Sequence, residues 1–136
     1  MPTLIDTSLW IAMYRDRTGK IARYVKTTSG LGEPLFARPI AMEILQGCSS
    51  EAEWRLTRDH LGLQKFLEMT TQTWIDASLI YFELKRLGTT VRSSLDCCIA
   101  QIALDNDVLL VHNDRDFDAI ATVRPLKHLR LDLSKA

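Results

Sequence analysis

The chain has 136 residues, 46% hydrophobic and 25% charged, with 17 Lys and Arg against 17 Asp and Glu. That length supports one compact domain, spanning 1–136, whose core needs neither a disulfide nor a structural metal. A net charge of zero argues against retention on nucleic acid by bulk charge alone. No apolar run approaches the ~20 residues that cross a bilayer, so no membrane is expected.

In chain order, Thr3-Leu4-Ile5 reads as a short strand ended by Asp6-Thr7-Ser8. Leu9, Trp10, Ile11, Met13 and Tyr14 then begin a helix with Thr7 or Ser8 as its N-cap, and Ile21 and Val25 extend the helical pattern to about Lys26. Residues 28–34 are loop chemistry, rich in Thr, Ser, Gly and Pro. Leu35-Phe36-Ala37 is a second buried strand, and Pro39 opens a helix over 40–46 that Gly47 stops. From 50 to about 68 the pattern is helical, with Trp54, Leu61 and Phe66 on its apolar side and a break near Gly62. Met69-Thr70-Thr71 fits a short strand; Gln72 or Thr73 precedes a helix over 74–87 closed by Gly88. A further helix covers 95–104. The four apolar residues of 108–111 are too few for a helix and read as a strand buried on both faces. Asp114 then opens a helix carrying Phe117, Ile120 and Ala121, and His128-Leu129-Arg130-Leu131 alternates as an edge strand. Strands alternating with helices predict right-handed crossovers and a parallel sheet covered on both faces.

The cysteines, Cys48, Cys97 and Cys98, lack metal-ligand spacing. Cys97 and Cys98 lie in an apolar helical pattern and read as core. An odd count with no signal peptide predicts a reducing cytoplasm.

The acids carry the chemistry. Asp6 and Asp114 each follow a buried strand directly, which puts both at the carboxyl edge of a parallel sheet, where such sheets place ligands. Glu43 falls in the first turns of the helix that leaves the same edge, and Asp96 in the first turn of its own helix. Each has a structural reading alone: Asp114 as an N-cap, Glu43 as a solvated face residue, and Asp96 as part of a capping box Ser93-x-x-Asp96. Four acids at one edge are harder to explain structurally, because carboxylates held ~4 Å apart repel by about 4 kcal/mol per pair at an effective dielectric near 20. A divalent cation relieves this, and oxygen ligands without paired His or Cys point to Mg²⁺ or Mn²⁺ rather than zinc. Such an ion activates water and stabilises charge on a phosphoryl oxygen. Thr7 and Ser8 are candidates to orient the water or a phosphate. There is no phosphate loop, dinucleotide fingerprint or nucleophile elbow. Of His60, His112 and His128, only His112 neighbours the acidic edge, where packing is its expected role.

Asp6-Thr7-Ser8 after the first strand, the mid-chain Glu43, Ser94-Leu95-Asp96-x-x-Ile99-Ala100 and Asn113-Asp114-Arg115-Asp116-Phe117 resemble PIN-domain ribonucleases, and more narrowly VapC-type toxins of toxin–antitoxin pairs. The match runs from residue 3 to about 131. The resemblance implies a three-layer α/β/α sandwich around a mostly parallel sheet. It assigns catalytic roles to Asp6, Glu43, Asp96 and Asp114, and metal binding to Asp6, Asp96, Asp114 and Asp116. Thr7 or Ser8 matches the hydroxyl after the first acid. The Thr or Ser often found two residues before the fourth acid is here His112.

The implied activity is Mg²⁺- or Mn²⁺-dependent endonucleolytic cleavage of structured RNA, a tRNA or rRNA, by a cytoplasmic toxin that forms a homodimer and is neutralised by a VapB-type antitoxin. Arg92 and Arg115, beside the acids, lead the candidates for holding the RNA backbone, followed by Arg15, Arg17, Lys20, Arg23 and Lys26. The aromatic residues Trp54, Phe66, Trp74, Tyr81 and Phe82 suggest that part of 50–87 forms a groove for an amphipathic antitoxin segment. Three other readings compete. A haloacid-dehalogenase-like phosphatase needs a second Asp where Ser8 stands. A receiver-like phosphoacceptor module needs paired acids and a Lys that His112-Asn113-Asp114 does not supply. A catalytically inactive PIN-fold interaction protein would not need the full acidic set.

Overall fold

The computed structural model describes residues 2–30 and 33–136. Five parallel strands form the sheet: β1 (Thr3–Ile5), β2 (Pro34–Ala37), β3 (Phe66–Leu67), β4 (Leu109–His112) and β5 (His128–Arg130), in the order β3-β2-β1-β4-β5. Among the described residues seven α-helices connect and cover them: α1 (Thr7–Arg15), α2 (Lys20–Thr28), α3 (Arg38–Gln46), α4 (Glu51–Leu61), α5 (Thr71–Arg86), α6 (Ser94–Asn106) and α7 (Arg115–Ala121).

β1 is central, pairing Leu4 with Leu35 on one side and with Leu110 on the other, and Ile5 with Val111. Alternation along β1 and β4 then sends neighbouring residues to opposite faces. Leu4 and Leu110 join Phe36, Ile40, Ile80, Leu84, Ile99, Ile102, Phe117 and Ile120 in the larger core. Ile5 and Val111 join Leu9, Val25 and Leu131 in the smaller one. Two cores on opposite faces of one sheet make the three-layer α/β/α sandwich. Cys97 and Cys98 are buried in the larger core.

The strand order carries the main consequence for function. From β1 the chain steps outward to β2 and β3, then returns through α5 and α6 to lay β4 on the other side of β1. The direction of winding therefore reverses between β1 and β4. At such a switch point the connections diverge to opposite sides and leave a crevice at the carboxyl ends of the two strands. Asp6 and Asp114 follow those two ends.

Local chemistry overrode periodicity at several places. The helical pattern of 9–26 is broken into α1 and α2. Asp16 accepts hydrogen bonds from the Thr18 N–H (3.1 Å) and Ile21 N–H (2.8 Å), and Gly19 turns the chain at φ 75°. The α1 cap is Asp6 itself, not Thr7 or Ser8. The pattern over 50–68 ends at Leu61, and Phe66–Leu67 is the edge strand β3, registered on Phe36 and Ala37. Met69-Thr70-Thr71 is no strand. Thr70 and Thr73 exchange a capping box, each hydroxyl accepting from the other's backbone N–H at 3.2 and 3.1 Å, so α5 begins at Thr71. Hydroxyl caps satisfy amide donors at the helix start that would otherwise lack an intrahelical partner. The end of α5 is as expected: Gly88 at φ 80° receives the chain, with the Gly88 N–H on the Lys85 carbonyl and the Thr89 N–H on that of Leu84. Of the loop 28–34, Leu31 and Gly32 lie outside the described residues, Thr28 closes α2, and Pro34 opens β2.

Candidate functional site

The crevice gathers the acids unequally. Ligand oxygens of Asp96, Asp114 and Asp116 lie within 4.8 Å of one another. Asp6 and Glu43 stand outside that set, yet the charge of each still reaches Asp96. Asp96 comes from the first turn of α6, Asp114 is the N-cap of α7, and Asp116 lies one residue inside α7.

Hydrogen bonds fix this arrangement. Ser8 Oγ donates to Asp6 Oδ2 at 2.8 Å, as does the Ser8 N–H at 3.3 Å. Thr7 Oγ1 donates to Glu43 Oε1 at 2.8 Å and ties α1 to α3. The two hydroxyls thus hold acids, a more specific use than orienting water or phosphate. Asp114 serves both of its readings at once: Oδ1 caps α7 by accepting the Asp116 N–H at 2.9 Å, while Oδ2 faces the crevice. Arg92, in the segment before α6, donates from Nη2 to that Oδ2 at 2.8 Å, and its backbone N–H donates to Asp116 Oδ2 at 3.1 Å. The capping box expected at Ser93-x-x-Asp96 does not form: Ser93 Oγ accepts from the Leu95 N–H, and the Asp96 carboxylate accepts no hydrogen bond among the described residues. Asp96 is therefore not spent on capping.

Its ionisation reflects this. Burial, then the charges of Asp6, Asp114, Asp116 and Glu43, push the Asp96 carboxyl up to about 7. Asp6 is also raised, mainly by burial, although the Ser8 bonds pull it back. The neighbouring acids hold the Arg92 guanidinium protonated. An all-carboxylate oxygen set carrying one uncompensated member fits a hard divalent cation.

A second cluster, His112, His128 and Asp118, has comparable spacing. The Asp114 N–H donates to His112 Nδ1 at 3.1 Å, which puts the ring proton on Nε2, and Nε2 donates to His128 Nδ1 at 3.0 Å. Burial and the nearby His128 lower His112 to about 4, so the ring stays neutral. With Nδ1 used as acceptor, Nε2 has no lone pair for a metal. His112 is thus a packing residue, stacked on His128 and tilted against Phe117, that also supports the backbone of Asp114. His128 was not singled out from the sequence. It is sixteen residues from His112, and only the β4–β5 pairing brings them together.

Of the basic candidates, Arg92 alone is paired with the acids. Arg115, Arg15, Arg17, Lys20, Arg23 and Lys26 make no ion pair among the described residues. Among the aromatic residues of 50–87, Trp54, Trp74 and Phe82 are exposed, while Phe66 and Tyr81 are half-buried. Trp74 and Phe82 lie with Ile75 and Leu79 on an apolar outer face of α5. A cavity of ≈ 590 Å³ opens elsewhere, between α1, α3 and α4, lined by Ile11, Tyr14, Ile44, Leu56 and His60 among others. The five aromatics do not line it. Leu56, Thr57 and His60 of α4 do, completed by α1 and α3, helices no local pattern would have joined to it.

Comparison with known proteins agrees with this architecture. The PIN domain family matches residues 3–123. Ribonuclease VapC11 of Mycobacterium tuberculosis and VapC ribonuclease Mb1587 of Mycobacterium bovis are each 35% identical over 135 residues, covering 91% of this chain and 95% of the relative. Among solved structures, VapBC2 from Rickettsia felis, bound to a DNA fragment from their promoter, superposes with a TM-score of 0.76 at 14% identity, over 97% of this chain and 100% of that one. DNA-bound VapBC from Salmonella typhimurium superposes at 0.71 with 20% identity, over 96% and 98%. These two likenesses speak to the fold; the family rests on the sequence matches. The chain belongs to the PIN domain family and, within it, to the VapC ribonucleases.

Proposed function

We propose that this protein is a metal-dependent endoribonuclease, the toxin of a VapBC-type pair, acting on structured RNA (a tRNA or an rRNA) in the cytoplasm. The observation that carries the reading is the convergence of Asp96, Asp114 and Asp116 within 4.8 Å, with Asp96 free of any capping duty. Asp96, Asp114 and Asp116, with Asp6 beside them, are the residues to hold Mg²⁺ or Mn²⁺. When bound, such an ion supplies an activated water and neutralises charge on the phosphoryl oxygens.

The remaining chemistry falls to the chain. Glu43 accepts a hydrogen bond from the Thr7 hydroxyl at Oε1, and Oε2, which accepts none among the described residues, is left to take a proton from an attacking water. Ser8 donates twice to Asp6 and offsets part of the rise that burial imposes on its carboxyl. Arg115, with Arg15, Arg17, Lys20, Arg23 and Lys26, engages phosphates and gives position without sequence preference. A VapB-type antitoxin is the partner, with an amphipathic segment seated in the cavity between α1, α3 and α4. The apolar outer face of α5 supports a homodimer. The complete acidic set favours catalysis over a purely interacting role.

The test is cleavage of purified tRNA and rRNA by the full chain with Mn²⁺ and with chelator. Cleavage is expected only with metal. Equal cleavage in chelator rules out the metal site, and no cleavage of either RNA rules out the nuclease.

A further inference from the structure

Arg92 was expected to touch RNA, yet its partners are the acids themselves. Nη2 donates to Asp114 Oδ2 at 2.8 Å, Nε approaches Asp116 Oδ2 at 3.4 Å, and the backbone N–H holds that same Asp116 oxygen at 3.1 Å. The two carboxylates are 16% and 7% exposed, whereas the Arg92 side chain is 68% exposed. A solvated guanidinium thus lies across one half-buried and one buried acid, Asp114 and Asp116. Asp114 Oδ1 caps α7, and Oδ2, the oxygen turned away from that cap, is the one Arg92 takes.

We propose that Arg92 is a movable counter-cation, neutralising Asp114 and Asp116 until a divalent ion is held by these acids, whereupon the released guanidinium binds the RNA phosphate backbone. The inference rests on the nuclease reading above. A divalent ion and a guanidinium on the same pair of carboxylates would repel each other at a separation too short for solvent screening. The exposed side chain leaves without opening the core. The backbone N–H of Arg92 meanwhile stays on Asp116, so the carboxylate keeps its place when the guanidinium departs. A freed guanidinium next to the acids presents a planar fork of donors, which matches a phosphate as it matched the carboxylates. Metal binding and substrate binding are thereby coupled through one side chain. The metal-free protein is neutralised internally, and the phosphate site forms only once the ion is in place.

The test is Mn²⁺ titration calorimetry on the full chain without RNA, for wild type, Arg92→Ala and Arg92→Lys. Loss of the competing cation is expected to tighten Mn²⁺ binding at least threefold in Arg92→Ala, with Arg92→Lys in between. In the wild type, the Nε–H resonance of Arg92, assigned by its loss in Arg92→Lys, is expected without metal and should shift or exchange faster at saturating Mg²⁺. A second arm measures binding of a short phosphorothioate oligoribonucleotide, which saturating Mg²⁺ should tighten at least threefold more in wild type than in Arg92→Ala. Unchanged or weaker Mn²⁺ binding in both variants, or an Nε–H signal indifferent to Mg²⁺, overturns the competition. An equal Mg²⁺ gain in wild type and Arg92→Ala overturns the phosphate role. If Arg92→Ala does not fold without metal, Arg92→Lys and the resonance decide. Failure of the nuclease reading is separable: wild type that binds Mn²⁺ but cleaves no RNA refutes that reading, whereas normal cleavage with unchanged Mn²⁺ affinity in the variants refutes this inference alone.

Discussion

Asp96 sits among four other acids, with no hydrogen-bond donor to its carboxylate among the described residues, and that predicament gives it a signature in stability. Its carboxyl is raised to about 7 in the fold from an ordinary value of 3.8, so between those values the native state holds a proton that the unfolded chain has released. Metal-free stability must therefore fall as pH rises from about 4 to about 7, by at most about 1.4 kcal/mol for each pH step of one, and by less where water screens the carboxylate. His112 acts with the opposite sign. Its ring is lowered to about 4 from 6.5, so its contribution is complete above 6.5 and is lost as pH falls toward 4. The two slopes oppose each other below 6.5. Metal-free wild type is expected to show a shallow profile there, whereas Asp96→Asn should lose stability steadily on acidification. Denaturant melts from pH 4 to 8 in chelator check this, and parallel profiles for the two proteins would contradict the assignment. Asp96→Asn should also leave the metal-free fold at least as stable as wild type at pH 7.5 while abolishing RNA cleavage, because it removes a repelling charge together with a ligand. An active variant would return Asp96 to a purely structural role.

At the scale of elements, α5 and α6 do different work. The start of α5 is set by the Thr70–Thr73 box, so Thr70→Ala should cost about 1 kcal/mol without changing cleavage. Urea midpoints alongside an activity assay test both halves. The helix α6 delivers Asp96 from its first turn and buries Cys97 and Cys98 through the next. Burial pushes the Cys97 thiol up to about 12 and raises Cys98 as well, which leaves both as unreactive thiols. Cys98→Ala is accordingly expected to lower stability by about 1 kcal/mol while cleavage per folded molecule is retained. Loss of cleavage in a folded Cys98→Ala protein would mean that the chemistry is not carried by carboxylates.

For the whole molecule, the winding reversal between β1 and β4 makes one crevice out of residues from the first six and the last third of the chain. A ligand bridging Asp96, Asp114 and their neighbours therefore ties distant elements together and stabilises the entire fold by mass action. Mn²⁺ at a hundred times its Kd is expected to add about 2.7 kcal/mol, read as a rise in Tm that chelator reverses and Asp96→Asn lacks. No metal effect on the wild-type Tm would remove the cation site. The cavity between α1, α3 and α4 makes a separate expectation at this scale. Hydrogen exchange should slow in α1, α3 and α4 when the antitoxin binds, and protection confined to α5 would move the partner to the outer apolar face.

What the sequence determined by itself was whatever is coded locally. The apolar run at 108–111, Asp6 directly after β1, Gly88 closing α5 and Ser93 ahead of α6 each speak through neighbours within a few residues, where periodicity and capping chemistry suffice. It also supplied the acids and, through the ordered motifs, the family. Where two local signals competed, the pattern alone misled: Ile21 and Val25 continued a helix that Asp16 and Gly19 had ended, and Thr70 and Thr71 read as strand when the hydroxyls were caps. Only the tertiary structure decided how the acids divide, with oxygens of Asp96, Asp114 and Asp116 within 4.8 Å of one another while Asp6 and Glu43 accept hydrogen bonds from Ser8 and Thr7. It also decided that Arg92 closes over Asp114 from 22 residues away and that His112 finds its partner in His128. Those pairings cross between elements. They are set by strand order and by the packing of helices on the sheet, which no window of neighbouring residues contains.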